Sequence, residues 1–205
     1  MLTPAQLARL YPRAPLPARA ALARAPARAS LRTPARVHAF LAQLGHESDG
    51  LTRTIESLYY TRPERLMAVW PRRFPTVESA TPYLRSSRKL AEAVYGGRLG
   101  NTDPGDGARY IGRGYLQITG RANYREMGAR IGVDLEAEPE RAAEPDIAVE
   151  IACAYWTARD INTPADAGDF REVTRRINGG LNGYEDRLAW LARARACICL
   201  PRPAE

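Results

Sequence analysis

The sequence predicts a mainly α-helical domain with one small β element beside a cleft. Apolar residues recur at helical spacing: Val37, Phe40, Leu41 and Leu44 fall at i, i+3, i+4 and i+7. Prolines stand where helices start, twice behind a threonine suited to cap the first turn, as in Thr3-Pro4 and Thr33-Pro34. Only residues 109–119 read as strand-like, and there Gly112 and Gly114 favour a tight, irregular hairpin.

Taken in order, Thr3-Pro4 opens a short helix through Leu10. Pro12, Pro15 and Pro17 interrupt it, and a second short helix is expected over 18–24. Leu7, Leu10 and Tyr11 make an apolar stripe, so residues 1–32 are read as a helical arm packed on the body, which spans 33–205. The helix opened by Thr33-Pro34 is expected to stop at Gly50, with Glu47 in its last turn. Further helices are expected over 63–70, 82–95, 121–131, 145–160, 168–177 and 184–197. Pro63, Pro82 and Pro145 mark starts, and Gly96 and Gly132 mark ends. No repeat, linker or separate binding module interrupts this series.

The 205 residues suit one domain, and 45% hydrophobic with 26% charged residues is the composition of a globular protein. No apolar run approaches the ~20 residues a membrane span needs, so no stable membrane insertion is expected. The first residues lack a basic start leading into an apolar run, so a product without a secretory signal, cytoplasmic until something else releases it, is expected. Lys89 is the one lysine, and the other 29 of the 30 basic residues are arginine. The net charge of +7 fits either a generally basic surface or attraction to an anionic polymer. No zinc-finger spacing or basic helix with interleaved aromatics favours nucleic acid. Cys153, Cys197 and Cys199 form no CxxC pair and the chain has only two histidines, so no zinc site is expected. Three inert thiols are the default reading, and spacing does not decide whether Cys153 pairs with Cys197 or Cys199.

Two glutamates carry the chemistry. Glu47 lies in Gly45-His46-Glu47-Ser48-Asp49-Gly50, and Glu56 follows nine residues later. At about 100° per residue they would point to opposite sides of a continuous helix. A turn at Gly50 instead lets them face each other across a cleft. One protonated and one ionised carboxyl are what glycoside hydrolysis requires. The negative end of the helix dipole and the apolar face beside Leu44 would both disfavour ionisation of Glu47, which suits a general acid.

Residues 100–124 contain Gly112-Arg113-Gly114-Tyr115-Leu116-Gln117-Ile118-Thr119, and Ile177-Asn178-Gly179-Gly180-Leu181-Asn182-Gly183 follows later. Together with Gly45-His46-Glu47-Ser48, in this order, they resemble the chitinase-like glycoside hydrolase family 19, nearest its phage and prophage endolysin branch. The resemblance covers roughly residues 34–195. It implies a lysozyme-like helical fold with a small hairpin beside the catalytic cleft, and an inverting, cofactor-free reaction. Glu47 then takes the role of general acid and Glu56 that of general base, while Thr119 helps hold the attacking water. Gln117, Asn123 and Asn178 offer amides to sugar groups, and Arg187 organises the acidic pair. Tyr59 and Tyr60, close behind Glu56, suit the walls of a sugar subsite.

Each assignment has a plainer alternative. Glu56 is placed to pair with Arg53 or Arg62, and Glu64 is a second candidate base. Thr119 is placed to cap the helix beginning near Arg121. Asn178 is placed to end a helix, and Arg187 to pair with Asp186 or Glu185. Asp49 departs from the glycine of many relatives and either points away or adds charge beside Glu47. The long loops of plant chitinases are missing, which favours bulky peptidoglycan over free chitin. The expected function is endolysin-type cleavage of the β-1,4 glycan backbone of peptidoglycan by a monomer. Chitin hydrolysis and wall binding with weak catalysis are the alternatives.

Overall fold

The computed structural model describes residues 2–200. The last five residues of the expected 33–205 body therefore lie outside the described residues. The chain opens with α1 (Pro4–Leu10), α2 (Leu16–Leu22), α3 (Ala25–Arg28) and α4 (Pro34–Glu47). It continues through α5 (Pro63–Val69), α6 (Val77–Ala80), α7 (Ser87–Tyr95) and α8 (Asp106–Arg109). The second half holds α9 (Arg121–Ile131), α10 (Pro145–Ala158), α11 (Asn162–Asp166), α12 (Phe170–Asn178) and α13 (Tyr184–Cys197).

Local chemistry explains the starts. Thr3 forms a reciprocal capping box with Gln6, and the Thr33 hydroxyl accepts from the Arg36 amide, each with proline at the first helical position. Arg36 then pairs with Asp166, tying the start of α4 to α11. The main core gathers α1, α2, α4, α10 and α13 around Phe40 and Trp156, whose rings meet edge to face at 5.2 Å. Leu7, Leu10 and Tyr11 of the N-terminal arm lie fully inside that core, and the Tyr11 hydroxyl donates to the Leu41 carbonyl. A side chain buried to this extent contributes about 1.5–3 kcal/mol. A second cluster centres on Tyr110, Ile118, Tyr124 and Met127, and a third joins α5 and α7 through Leu66, Phe74, Leu90 and Val94.

Three expectations about elements are corrected. The hairpin over 109–119 is not formed: among the described residues there are only isolated antiparallel bridges, Ile55 to Arg113 and Arg113 to Ile118. Gly114 (φ 78°) and Gln117 (φ 51°) are both left-handed, so the chain folds back after one residue pair and no ladder can grow. The helix expected over 82–95 begins only at Ser87, because Pro82 sits in a 3₁₀ turn and Arg85 is left-handed (φ 57°) before Ser86 caps α7. α4 stops at Glu47 rather than Gly50, since Asp49 (φ 49°), Gly50 (φ 67°) and Leu51 (φ 65°) turn left-handed in succession. The Cys153, Cys197 and Cys199 thiols are free, and burial pushes Cys153 up to about 12.

Candidate active site

α4 and α13 pack along their length, and the contact depends on Gly45. A Cβ there would stand 2.6 Å from the Trp190 ring, so only glycine admits this approach. Arg187 is one turn before Trp190 and shares its face of α13. Its Nη2 donates to Glu47 Oε1 at 2.5 Å. Its Nη1 donates to Gln43 Oε1, and its Nε donates to the Asn182 carbonyl at 3.2 Å. Gln43 in turn donates to Thr174 Oγ1 at 3.0 Å, and Thr174 to the Phe170 carbonyl at 2.8 Å. Gln43, Thr174 and Arg187 are all buried, so a continuous polar chain runs from α12 through α4 to the carboxyl of Glu47.

Glu47 therefore meets a guanidinium, where sequence reasoning set it against apolar surface. Arg187 pairs with neither Asp186 nor Glu185; Asp186 instead meets His46 Nδ1 at 2.6 Å. Asp49 points away from Glu47, with its carboxylate on Arg13 at 2.8 Å.

The turn after α4 is closed by Ser48, whose hydroxyl donates to the Leu44 carbonyl and accepts from the Leu51 amide at 2.9 Å. The chain then runs antiparallel beside the glycine turn. The Gly114 amide donates to the Thr54 carbonyl at 2.8 Å, and the Glu56 amide to the Gly112 carbonyl at 3.0 Å. Glu56 Oε1 accepts from the Gly112 amide, and Oε2 accepts from the Tyr95 hydroxyl at 2.8 Å. Burial, with the Glu56 carboxylate beside it, pushes the Tyr95 phenol well above its ordinary value, so it remains a donor across the neutral range. Neither Arg53 nor Arg62 pairs with Glu56, and Glu64 is an exposed partner of Arg62 at 3.6 Å. Glu56 and Tyr59 line a cleft of about 750 Å³ with Ala108 and Ile111.

Gln117 joins the two sides of the glycine turn. A Cβ on Gly112 would lie 3.0 Å from Gln117 Oε1 and 3.1 Å from the Glu56 carboxyl, so the two side chains converge at that glycine. Gln117, Thr119 and Asn123 line a second pocket of about 210 Å³ with Tyr155. Thr119 is not a helix cap. α9 begins behind Gly120 without a side-chain cap, and its first amide at Arg121 donates to Asn101 Oδ1 at 2.8 Å. The Thr119 hydroxyl donates to the Gln117 carbonyl at 3.0 Å, and Asn123 donates to the Thr119 carbonyl at 2.7 Å. No hydrogen bond joins Thr119 to Glu56 among the described residues.

Tyr155 connects this pocket to the acid side. Its hydroxyl donates to the Ile177 carbonyl at 3.0 Å, next to Asn178 at the end of α12. Burial holds the Tyr155 phenol above its ordinary value; Arg159 opposes the shift, and the charges of Glu47 and Glu126 add to it. Asn178 leans on the Asn182 carbonyl at 3.5 Å, the group that also receives Arg187 Nε.

Tyr60 packs edge to face against Trp70 at 5.8 Å in the third cluster and does not line the cleft that holds Glu56. Its neighbour Tyr59, 57% exposed, is the tyrosine on the cleft wall. The sequence points to both tyrosines behind Glu56 as subsite walls, and of the two it is Tyr59 that lines the cleft; nothing local points to Tyr95.

A family model described as chitinase class I matches residues 80–179, a stretch that includes Gln117, Thr119, Asn123 and Asn178. A glycosyl hydrolase family 19 domain-containing protein of Haemophilus influenzae is 41% identical over 150 residues, covering 72% of each chain. An endochitinase of Arabidopsis thaliana is 39% identical over 75 residues, which cover 36% of this chain and 26% of the plant protein. The fold is similar to that of chitinase C from Streptomyces griseus (TM-score 0.64, 21% identity, 95% of this chain and 91% of that one). It is also similar to a bacterial family 19 chitinase (TM-score 0.59, 23% identity, 99% and 97% covered). With a relative of such identity aligned over most of both lengths, the chain belongs to glycosyl hydrolase family 19.

Proposed function

We propose that this family 19 glycoside hydrolase cuts the β-1,4 glycan backbone of bacterial peptidoglycan by single displacement. The observation that carries the reading is the separate anchoring of two carboxyls, Glu47 on Arg187 and Glu56 on Tyr95 and Gly112. Glu47 passes its proton to the glycosidic oxygen as the bond from that oxygen to the anomeric carbon breaks. Water attacks the same carbon from the opposite face and gives its proton to Glu56, so the anomeric configuration inverts. Arg187 balances the charge left on Glu47 once its proton has gone. Glu56 accepts on both oxygens from fixed donors, the arrangement of a group that must be aimed before it takes a proton. Thr119 orients the water from the neighbouring pocket, and Gln117, Asn123 and Asn178 hold sugar hydroxyl and acetamido groups.

The net charge of +7 supports an anionic wall polymer, and with it an endolysin-type role in which the cytoplasmic enzyme reaches the wall upon release. The names of the plant and Streptomyces relatives favour a second reading, hydrolysis of N-acetylglucosamine polymers. Purified peptidoglycan and chitin oligomers, assayed side by side for new reducing ends, separate the two. Wall turnover with an initial product of inverted anomeric configuration supports the proposal; turnover of chitin alone replaces it.

A further inference from the structure

The pocket that holds Gln117, Thr119 and Asn123 ends on a cation. Arg159 follows the last residue of α10, and its guanidinium carbon lies 3.5 Å from the centroid of the Tyr155 ring. Stacking on an aromatic face fixes the plane of a guanidinium and leaves its N–H edge pointing outward. That edge has no partner among the described residues: Arg159 makes no ion pair and its side chain donates no hydrogen bond. The nearby carboxylates are engaged elsewhere. Glu126, also on the pocket wall, pairs with Arg130 at 3.1 Å, and Asp160 faces Arg176 at 3.5 Å and the Thr163 hydroxyl at 2.9 Å. The Arg159 backbone is itself held, its carbonyl accepting from Arg176 at 3.1 Å.

A preorganised, exposed and unpaired guanidinium beside three sugar-facing polar groups suits an anionic sugar better than a neutral one. N-acetylglucosamine polymers carry no charge. The muramic acid of peptidoglycan bears a C3 arm with a carboxylate, which is the lactyl group itself in stripped glycan or a group of the stem peptide where that is attached. We infer that Arg159 is a specificity-determining residue that receives a carboxylate from the C3 arm of a muramic acid unit in this pocket. The inference rests on the peptidoglycan reading above and names the contact that separates peptidoglycan from chitin.

The test uses the full chain carrying Glu47→Gln, so that ligands bind without being cut. Calorimetry compares three soluble ligands: chitobiose, N-acetylglucosaminyl-N-acetylmuramic acid with its free lactyl carboxylate, and the same disaccharide carrying a peptide stem. A charge-assisted contact should make one of the carboxylate ligands bind about tenfold more tightly than chitobiose. Which of the two gains identifies the lactyl or the peptide carboxylate as the source. Adding Arg159→Gln should collapse that ratio to near one and remove its salt dependence, while Arg159→Lys should restore part of it. Equal affinity for charged and neutral ligands, or a preference that survives Arg159→Gln, overturns the inference. Release of reducing ends from whole peptidoglycan by the unmutated chain judges the underlying reading separately. Wall cleavage with no effect of Arg159→Gln on the ratio removes only the Arg159 contact. An Arg159-dependent ratio without wall cleavage removes only the peptidoglycan reading.

Discussion

Arg187 Nη2 stands 2.5 Å from Glu47 Oε1, and this contact joins the ends of two long helices whose approach depends on Gly45. The guanidinium side chain is 2% exposed and that of Glu47 21%, so the pair sits at the floor of the site with one member open to solvent. Because Arg187 also holds Gln43 and Asn182, its orientation is determined from three sides before any substrate arrives.

Glu47→Gln should keep this framework, since an amide oxygen can still accept from Arg187, while removing the proton donor. Wall hydrolysis should fall by ~10²–10⁴-fold with little change in melting temperature. Arg187→Leu should act differently, leaving Gln43 Oε1 without its donor and Glu47 without its counter-charge. Loss of one member of a buried pair costs about 3 kcal/mol. Melting curves and reducing-end assays on both variants test the contrast, and an active Glu47→Gln would remove this residue from the reaction.

Much of this framework was legible in the sequence because it is local. The proline and threonine starts of α1 and α4, the apolar spacing of α4 and the glycine end of α9 are decided within a few residues. Glu47 and Glu56 were marked by the turn between them. Of their partners, Arg187, 140 positions from Glu47, is reached through the family resemblance alone, and Tyr95, 39 positions from Glu56, is not marked at all. Pairings of that range depend on packing between elements, which periodicity does not encode. The 109–119 hairpin failed for the opposite reason: glycine content signalled a turn, but not that left-handed Gln117 would stop the ladder after one pair.

Glu56→Gln should be as damaging as loss of the acid, because a neutral amide takes no proton from water. Added azide, already anionic, should restore part of the turnover by replacing the water. Glu64→Gln should be close to silent, since among the described residues Glu64 pairs only with the exposed Arg62. Assays of both variants with and without azide decide the base, and an inactive Glu64→Gln beside an active Glu56→Gln would move the role.

Tyr95→Phe removes one of the two donors that aim Glu56 while the Gly112 amide keeps the other. A lost hydrogen bond to a charged group is worth about 1.5–3 kcal/mol, so kcat should fall by about tenfold or more. KM should move little, because the phenol orients the base without being assigned to substrate. A drop confined to KM would instead place Tyr95 among the sugar contacts.

Thr119→Ala should lower turnover more than affinity, and Thr119→Ser should keep most activity. The hydroxyl lines the pocket and caps no helix, so the stability change should be limited to its one bond to the Gln117 carbonyl, about 1 kcal/mol. Melting temperature and wall hydrolysis measured on the same preparations check this. Normal turnover by Thr119→Ala would leave the water to Glu56 alone.

Gly112→Ala tests the geometry of the base without changing any titratable group. The added methyl would lie 3.1 Å from the Glu56 carboxyl and 3.0 Å from Gln117 Oε1, tighter than ordinary contact. Both are side-chain ends able to shift by a few tenths of an ångström, so the fold should survive with a nearly unchanged melting temperature. The base, however, would leave the position set by the Gly112 amide and Tyr95. A misplacement of 1 Å can cost ~10²-fold, so a smaller shift should cost about tenfold in kcat. Gly45→Ala makes the opposite comparison. Its methyl would meet the Trp190 ring at 2.6 Å, forcing α4 and α13 apart, and should lower the melting temperature itself. An active Gly112→Ala of normal stability would mean that the carboxyl of Glu56 works from a position other than the one these two donors define.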